Sequence, residues 1–147
     1  MELRSVEELM DLLYACRGAR ASSGRGDGPA DPHGHALRTA ALLRRRRPAD
    51  KELQVAGLVS VVGAHLWPGG PTGRTADVVR PLLGPRVARL LHGHALPDGR
   101  SHDDDLLSLR QAGEEARTAV FDAGVLEDWR TVLELLAARN SRLGAVD

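Results

Sequence analysis

The segment that most constrains this chain runs from Lys51 to about Ala64. Leu53, Val55, Ala56, Leu58, Val59, Val61 and Val62 leave it almost no polar face, and Asp50 stands before it as an N-cap. A helix that is apolar all round has to be enclosed, so this pattern predicts a central helix with the rest of the chain packed about it. Hydrophobic residues make up 42% and aromatics only 3%, so the core must be built from Leu, Val and Ala. That composition favours helices in close contact through small side chains over a β-sandwich, which draws on aromatic and β-branched strands. At 147 residues the chain can bury one continuous core, and a single domain over residues 1–147 is expected.

The flanking segments supply the partner helices. Ser5 and Glu8 form a capping box ahead of Val6, Leu9, Met10, Leu13 and Cys16, a helix that should stop near Gly18. Residues 19–30, rich in glycine and small polar residues, read as a mobile loop. Its Arg25-Gly26-Asp27 is taken as a chance match to an integrin-binding tripeptide. Asp31-Pro32 opens a second helix through His35, Ala36, Leu37, Ala40, Ala41 and Leu43, ending at Arg44 to Arg47 before Pro48. A fourth helix spans about Thr75 to Leu83, bent or ended by Pro81, and Pro85 opens a fifth. Short helices near Asp103–Ala112 and Glu114–Asp122 precede a last one from Val125 to Arg139, with Trp129, Val132, Leu133 and Leu136 inward. No strand pattern or internal repeat stands out. The expected fold is an all-α bundle of about six to eight helices.

Charge and cysteine content narrow the function. Basic and acidic residues balance at 20 each, which gives no global field for nucleic acid. The four consecutive arginines, 44–47, end a helix, where cations complement the dipole and are solvated. Cys16 is the only cysteine, so neither an internal disulfide nor a thiolate zinc site can form. The start of the chain lacks a signal-peptide pattern, and Val55 to Val62 is too short to span a bilayer. A cytoplasmic protein without membrane or nucleic-acid partners is expected, and the Ala-, Arg-, Gly- and Leu-rich composition suggests a high-GC bacterial genome.

Six histidines stand at 33, 35, 65, 92, 94 and 102. His33 and His35, like His92 and His94, are two apart and so point to different faces of a helix. His102 beside Asp103, Asp104 and Asp105 could chelate a hard cation, but the same cluster serves simply as the acidic start of a helix.

Order along the chain adds more. His35-Ala36-Leu37-Arg38-Thr39-Ala40-Ala41 followed by Leu53-Gln54-Val55-Ala56-Gly57-Leu58-Val59-Ser60-Val61-Val62-Gly63 resembles the first two helices of the HD-domain superfamily. Gly73 to Ala88 is similar to a stretch of one branch, the small oxygenases and phosphohydrolases related to phosphonate-cleaving enzymes, and the likeness runs collinearly over roughly residues 5 to 139. The resemblance implies that His35 and His94 stand at two metal-ligand positions. It also places Ser60-Val61 where the family has its His-Asp pair, and Ala64 where a further His is usual. A position near Pro71 or Thr72 lacks the next His, and Asn140 is the nearest polar residue to the last carboxylate. Two imidazoles cannot hold a catalytic dication that takes four to six donors, so no metal or other cofactor is expected.

What the altered site implies is a dry pocket lined by Val61, Val62, Leu90 and Trp67, with Ser60 and the two histidines facing it. Two functions fit. In one, the chain is a metal-independent enzyme acting on a small metabolite, in specialised metabolism by analogy. His35 and His94 are its general acid and base, Ser60 orients the substrate, and Arg38 is a further substrate contact. Isomerisation, cyclisation, dehydration or hydrolysis would suit such groups. In the other, it is a catalytically inactive HD-like module that binds a small ligand or a protein partner. The composition allows a homodimer without requiring one.

Overall fold

In a computed structural model the chain is all-helical. The structure describes residues 5–18, 32–66, 74–95, 104–119 and 121–145, and side chains within 5–15, 33–60, 75–93, 104–119 and 121–140. Among the described residues there are seven α-helices and no strand: α1 (Val6–Gly18), α2 (Pro32–Arg46), α3 (Lys51–Leu66), α4 (Arg74–Leu83), α5 (Pro85–Ala95), α6 (Asp104–Thr118) and α7 (Arg130–Ala145), with a 3-10 turn at Leu126–Trp129 before α7. The loop expected at 19–30, with Arg25-Gly26-Asp27, lies outside the described residues, as do Trp67 and His102. No helix of the described residues is long and apolar enough to cross a membrane.

The apolar segment stands at the centre. Residues 53–59 of α3 are all buried, and α3 packs against each of the other six α-helices. Asp50 caps it as expected, its Oδ1 accepting from Leu53 N at 3.1 Å. At the other cap foreseen in sequence, Ser5 Oγ accepts from Glu8 N at 3.2 Å. Gly57 faces α2 at close range. A Cβ there would stand 2.6 Å from Leu43 Cδ1 and 3.2 Å from Thr39 Cγ2, so a larger residue would have to displace the buried side chains of α2.

Around this axis Leu9, Met10, Leu43, Leu53, Leu58, Leu83, Leu90, Leu109, Leu126, Trp129 and Leu133 form one buried cluster reaching from α1 to α7. Each such side chain contributes roughly 1.5–3 kcal/mol when fully buried. That burial is what holds the helices, because α4 has only 10 residues and α3 and α7 only 16. Helices of such length are marginal in water by themselves.

Two boundaries differ from expectation, while α4 covers the expected range. α6 runs unbroken through Gly113, where two short helices are expected. Leu109, Ala112 and Ala116 are buried on one continuous stripe, and their packing outweighs the roughly 1 kcal/mol helical cost of glycine. α4 continues past Pro81, whose missing N–H leaves unpaired only the carbonyl of Asp77, an exposed residue that water can serve. The last helix opens with a 3-10 turn and extends to Ala145, beyond the expected Arg139.

The corner between α4 and α5 is tightly made. Gly84 takes φ 96°, the left-handed conformation that closes a helix, and its N–H reaches Arg80 O at 3.0 Å. Pro85 then starts α5 without an N–H to give, which strips the Pro81 carbonyl one turn back of its donor. Asn140 of α7 replaces it, donating from Nδ2 at 2.7 Å.

Candidate functional site

His35 faces inward from α2, 7% exposed. Its Nε2 lies 2.9 Å from the carbonyl oxygen of Gly113 on α6. A carbonyl can only accept, so Nε2 carries the proton, and in the neutral ring Nδ1 is a bare lone pair. That Nδ1 is buried and has no hydrogen-bond partner among the described residues. Burial pushes the ring below its ordinary value of 6.5, Arg117 and Arg38 act in the same direction, and the Gly113 carbonyl and Glu114 oppose them without prevailing. At neutral pH the side chain is therefore an uncharged base of fixed tautomer.

One turn along α2, Arg38 Nε donates to Ala116 O at 3.1 Å. Ala116 is among the last four residues of α6, whose carbonyls lack a donor within the helix. His35 and Arg38 thus hold two carbonyls, three residues apart, on the C-terminal half of α6. Thr39 Oγ1 bonds back to His35 O at 2.8 Å and steadies this turn. His33 goes elsewhere. Its Nδ1 sits 3.3 Å from Leu13 O on α1, with its ring stacked on Tyr14 at a centroid distance of 6.2 Å.

The remaining expected site residues divide. Ser60 is half-buried on α3 and donates its hydroxyl proton to Gly57 O at 3.0 Å, which leaves its oxygen free to accept. Leu90 is a core residue at 1% exposure. Arg38 retains its terminal guanidinium nitrogens, since only Nε is engaged with Ala116. The side chains of Val61, Val62 and His94, and the whole of Trp67, lie outside the described residues.

The dication implied by the HD resemblance does not fit the donors in view. His35 spends one nitrogen on Gly113, and Ser60, where the resemblance would put a ligand, turns its proton to its own helix. Among the described residues no three of His, Cys, Asp and Glu converge to hold a metal ion. Asn140, nearest the missing last carboxylate, is committed to Pro81 O against α4.

At the opposite end of α2 the polar groups are fully matched. Arg86, in the first turn of α5, makes a bidentate pair with Asp50 at 2.6 and 2.8 Å and reaches Asp105 Oδ2 at 3.1 Å and Glu52 at 3.3 Å. Arg47 joins Asp105 Oδ1 at 2.8 Å and Ser108 Oγ at 3.3 Å. The Arg86 guanidinium holds the Asp50 carboxyl below its ordinary value of 3.8. Buried Gln54 completes the junction, donating to Arg47 O at 2.7 Å. Four helix ends, from α2, α3, α5 and α6, are joined in this way.

The four arginines therefore do more than solvate a helix end. Arg44 lies over the Trp129 ring at 5.8 Å and Arg45 over Phe121 at 4.7 Å. Arg46 pairs with Glu115, and Arg47 joins the junction just described. Successive residues on a helix point about 100° apart, so Arg44, Arg45 and Arg46 diverge, and Arg47 follows just past the helix end.

Sequence reasoning missed Arg86 and Gly113. A signal for Arg86 existed: a cation in the first turn of a helix opposes the dipole and calls for carboxylates nearby. Nothing in the sequence marks Gly113 as an acceptor, because any residue offers the same carbonyl. A separate cleft of about 50 Å³ opens at the α4–α5 corner beside Glu52, Gly84, Leu136, Arg139 and Asn140, without His35 in its wall. Compared with known family models, curated proteins and solved structures, the chain finds no match.

Proposed function

We propose that this chain is a metal-independent enzyme on an HD-like scaffold, in which the Nδ1 lone pair of His35 accepts a proton from a small metabolite. The observation that supports it is the unpartnered, buried Nδ1. Leaving a buried polar atom unsatisfied costs roughly 1–3 kcal/mol, a cost that a binding group offsets when a ligand arrives. The Gly113 carbonyl fixes the tautomer, as a carboxylate or carbonyl does behind many catalytic histidines. His94 is the complementary acid in this proposal. The free oxygen of Ser60 and the outer nitrogens of Arg38 orient the substrate. Isomerisation, cyclisation, dehydration or hydrolysis needs no more than such proton transfers. The collinear HD resemblance supports the scaffold, and the balanced charge favours a small molecule over nucleic acid.

One observation favours a second function, an inactive HD-like binding module. Arg38 Nε and the Ser60 proton are both spent inside the fold. The two are separated with protein carrying 15N-labelled histidine, titrated at pH 7.5 with pools of hydroxy acids, amides and polyols. The enzyme proposal expects the His35 Nδ1 resonance to shift with a binding pool, and turnover of that pool to vanish in His35→Gln and His94→Ala. Gln at 35 keeps a donor for Gly113 and removes the basic ring nitrogen. Turnover undiminished in both variants would sink the proposal, and binding without turnover in the native chain would select the module.

A further inference from the structure

We infer that the cleft at the α4–α5 corner is a binding site for a small amino acid, its carboxylate held by Arg139 and its ammonium by Glu52. The cleft measures about 50 Å³ and draws its wall from distant parts of the chain. Glu52 comes from the first turn of α3, Gly84 and Pro85 from the corner itself, and Arg139 and Asn140 from α7. His35 has no part in it. Ser60 lies more than two turns further along α3, about 12 Å at 1.5 Å per residue. The site is therefore separate from the one proposed above and does not depend on its chemistry.

Charge of both signs is left open here. Arg139 is exposed, and among the described residues no carboxylate pairs with its guanidinium. Glu52 lines the same space, yet no ion pair joins it to Arg139. Its Oε1 leans on Arg86 at 3.3 Å, which leaves Oε2 without a donor among the described residues. Arg86 is already the bidentate partner of Asp50, at 2.6 and 2.8 Å, so Glu52 is its marginal contact. A guanidinium and a carboxylate that share a wall without pairing suit a molecule carrying both opposite charges. A bare anion would meet the Glu52 carboxylate and a bare cation would meet Arg139, so either charge alone is opposed.

The third polar group is Asn140. Its Nδ2 is spent on the Pro81 carbonyl at 2.7 Å, which fixes the amide. A Cβ at Gly84 would stand 3.2 Å from Asn140 Oδ1, so the missing side chain keeps that acceptor open. Oδ1 and Glu52 Oε2 are then two acceptors for an ammonium, which has only donors to offer. Pro85 and Leu136 give an apolar floor for a Cα and a short side chain. At roughly 10–15 Å³ for each water-sized occupant, the volume admits about three to five such atoms. That is the size of glycine or alanine.

The test is a 15N NMR titration of the full chain with glycine at neutral pH, read at the Gly84 backbone N–H and the Asn140 side-chain amide. Both should shift saturably, with half-saturation in the millimolar range that so small a ligand allows. Acetate, which lacks the ammonium, and methylammonium, which lacks the carboxylate, should each bind at least about ten-fold more weakly. Arg139→Gln, at an exposed position outside the Arg86 junction, should weaken glycine binding by a similar factor with helical circular dichroism unchanged. Glu52→Gln should do the same, and should it loosen the junction, Arg139→Gln decides alone. Absence of a saturable shift with excess glycine would overturn the site. So would equal shifts with acetate or methylammonium, or glycine binding undiminished in Arg139→Gln.

Discussion

The two ends of α2 are built on opposite terms. At its C-terminal end Arg47, Asp105, Arg86, Asp50 and Gln54 form a junction in which each charged or amide group has a matched partner. At its N-terminal end a single buried imidazole satisfies one nitrogen and leaves the other bare. Matched groups joining several helix ends fix geometry and contribute stability. An unmatched buried atom contributes none, so its presence points to a ligand or a proton. The contrast sets a junction of matched groups at the starts of α3, α5 and α6 against an unmatched group at the α2–α6 seam.

The largest expected effect comes from breaking the matched end. Arg86→Ala leaves the carboxylates of Asp50 and Asp105 without their shared guanidinium and should lower unfolding free energy by about 2 kcal/mol in urea melts, a moderate figure because the groups are partly exposed. A loss below about 0.5 kcal/mol would remove the distinction between the two ends. His35→Phe should cost less than about 1 kcal/mol or even stabilise, since an apolar ring removes the unsatisfied atom.

Two glycines sharpen the same comparison. Gly57→Ala forces a methyl against Leu43 and Thr39 and should destabilise by about 1 kcal/mol, crowding outweighing the gain in helix propensity. Gly113→Ala meets open space and should stabilise by up to about 1 kcal/mol, both effects read as shifts in thermal midpoint. Equal effects at the two positions would erase the proposed difference between seam and axis.

Acid should act in two separate ranges. The fold holds His35 neutral with its pKa lowered, so stability is full above 6.5 and declines as pH falls below 6.5 toward the lowered folded value. Asp50 is held ionised by Arg86, so its contribution is present above 3.8 and is lost as pH falls through its lower folded value. Urea midpoints measured against pH should lose the upper limb in His35→Gln and keep the lower one. An unchanged upper limb would assign it to another group.

Much of the fold was legible because burial and capping are local statements. The apolar run at 53–62 announces an enclosed helix, and Asp50 announces its start, whatever the surrounding topology. The break expected at Gly113 went astray because helix propensity counts a glycine against a helix and knows nothing of the stripe that Leu109, Ala112 and Ala116 bury. The site was legible only in part. His35 was singled out by its place in an HD-like string, but which nitrogen is spent, and on what, depends on a carbonyl 78 residues away.

By itself, then, the sequence determined an all-helical chain wound about α3, since a segment without a polar face admits no exposed position. It also marked the four adjacent arginines as the end of a helix. Only the tertiary structure decided where each of them lands, that Arg38 serves α6, and that Nδ1 of His35 stands without a partner. Those outcomes rest on hydrogen bonds between residues far apart in the chain, and a backbone carbonyl carries no residue-specific mark.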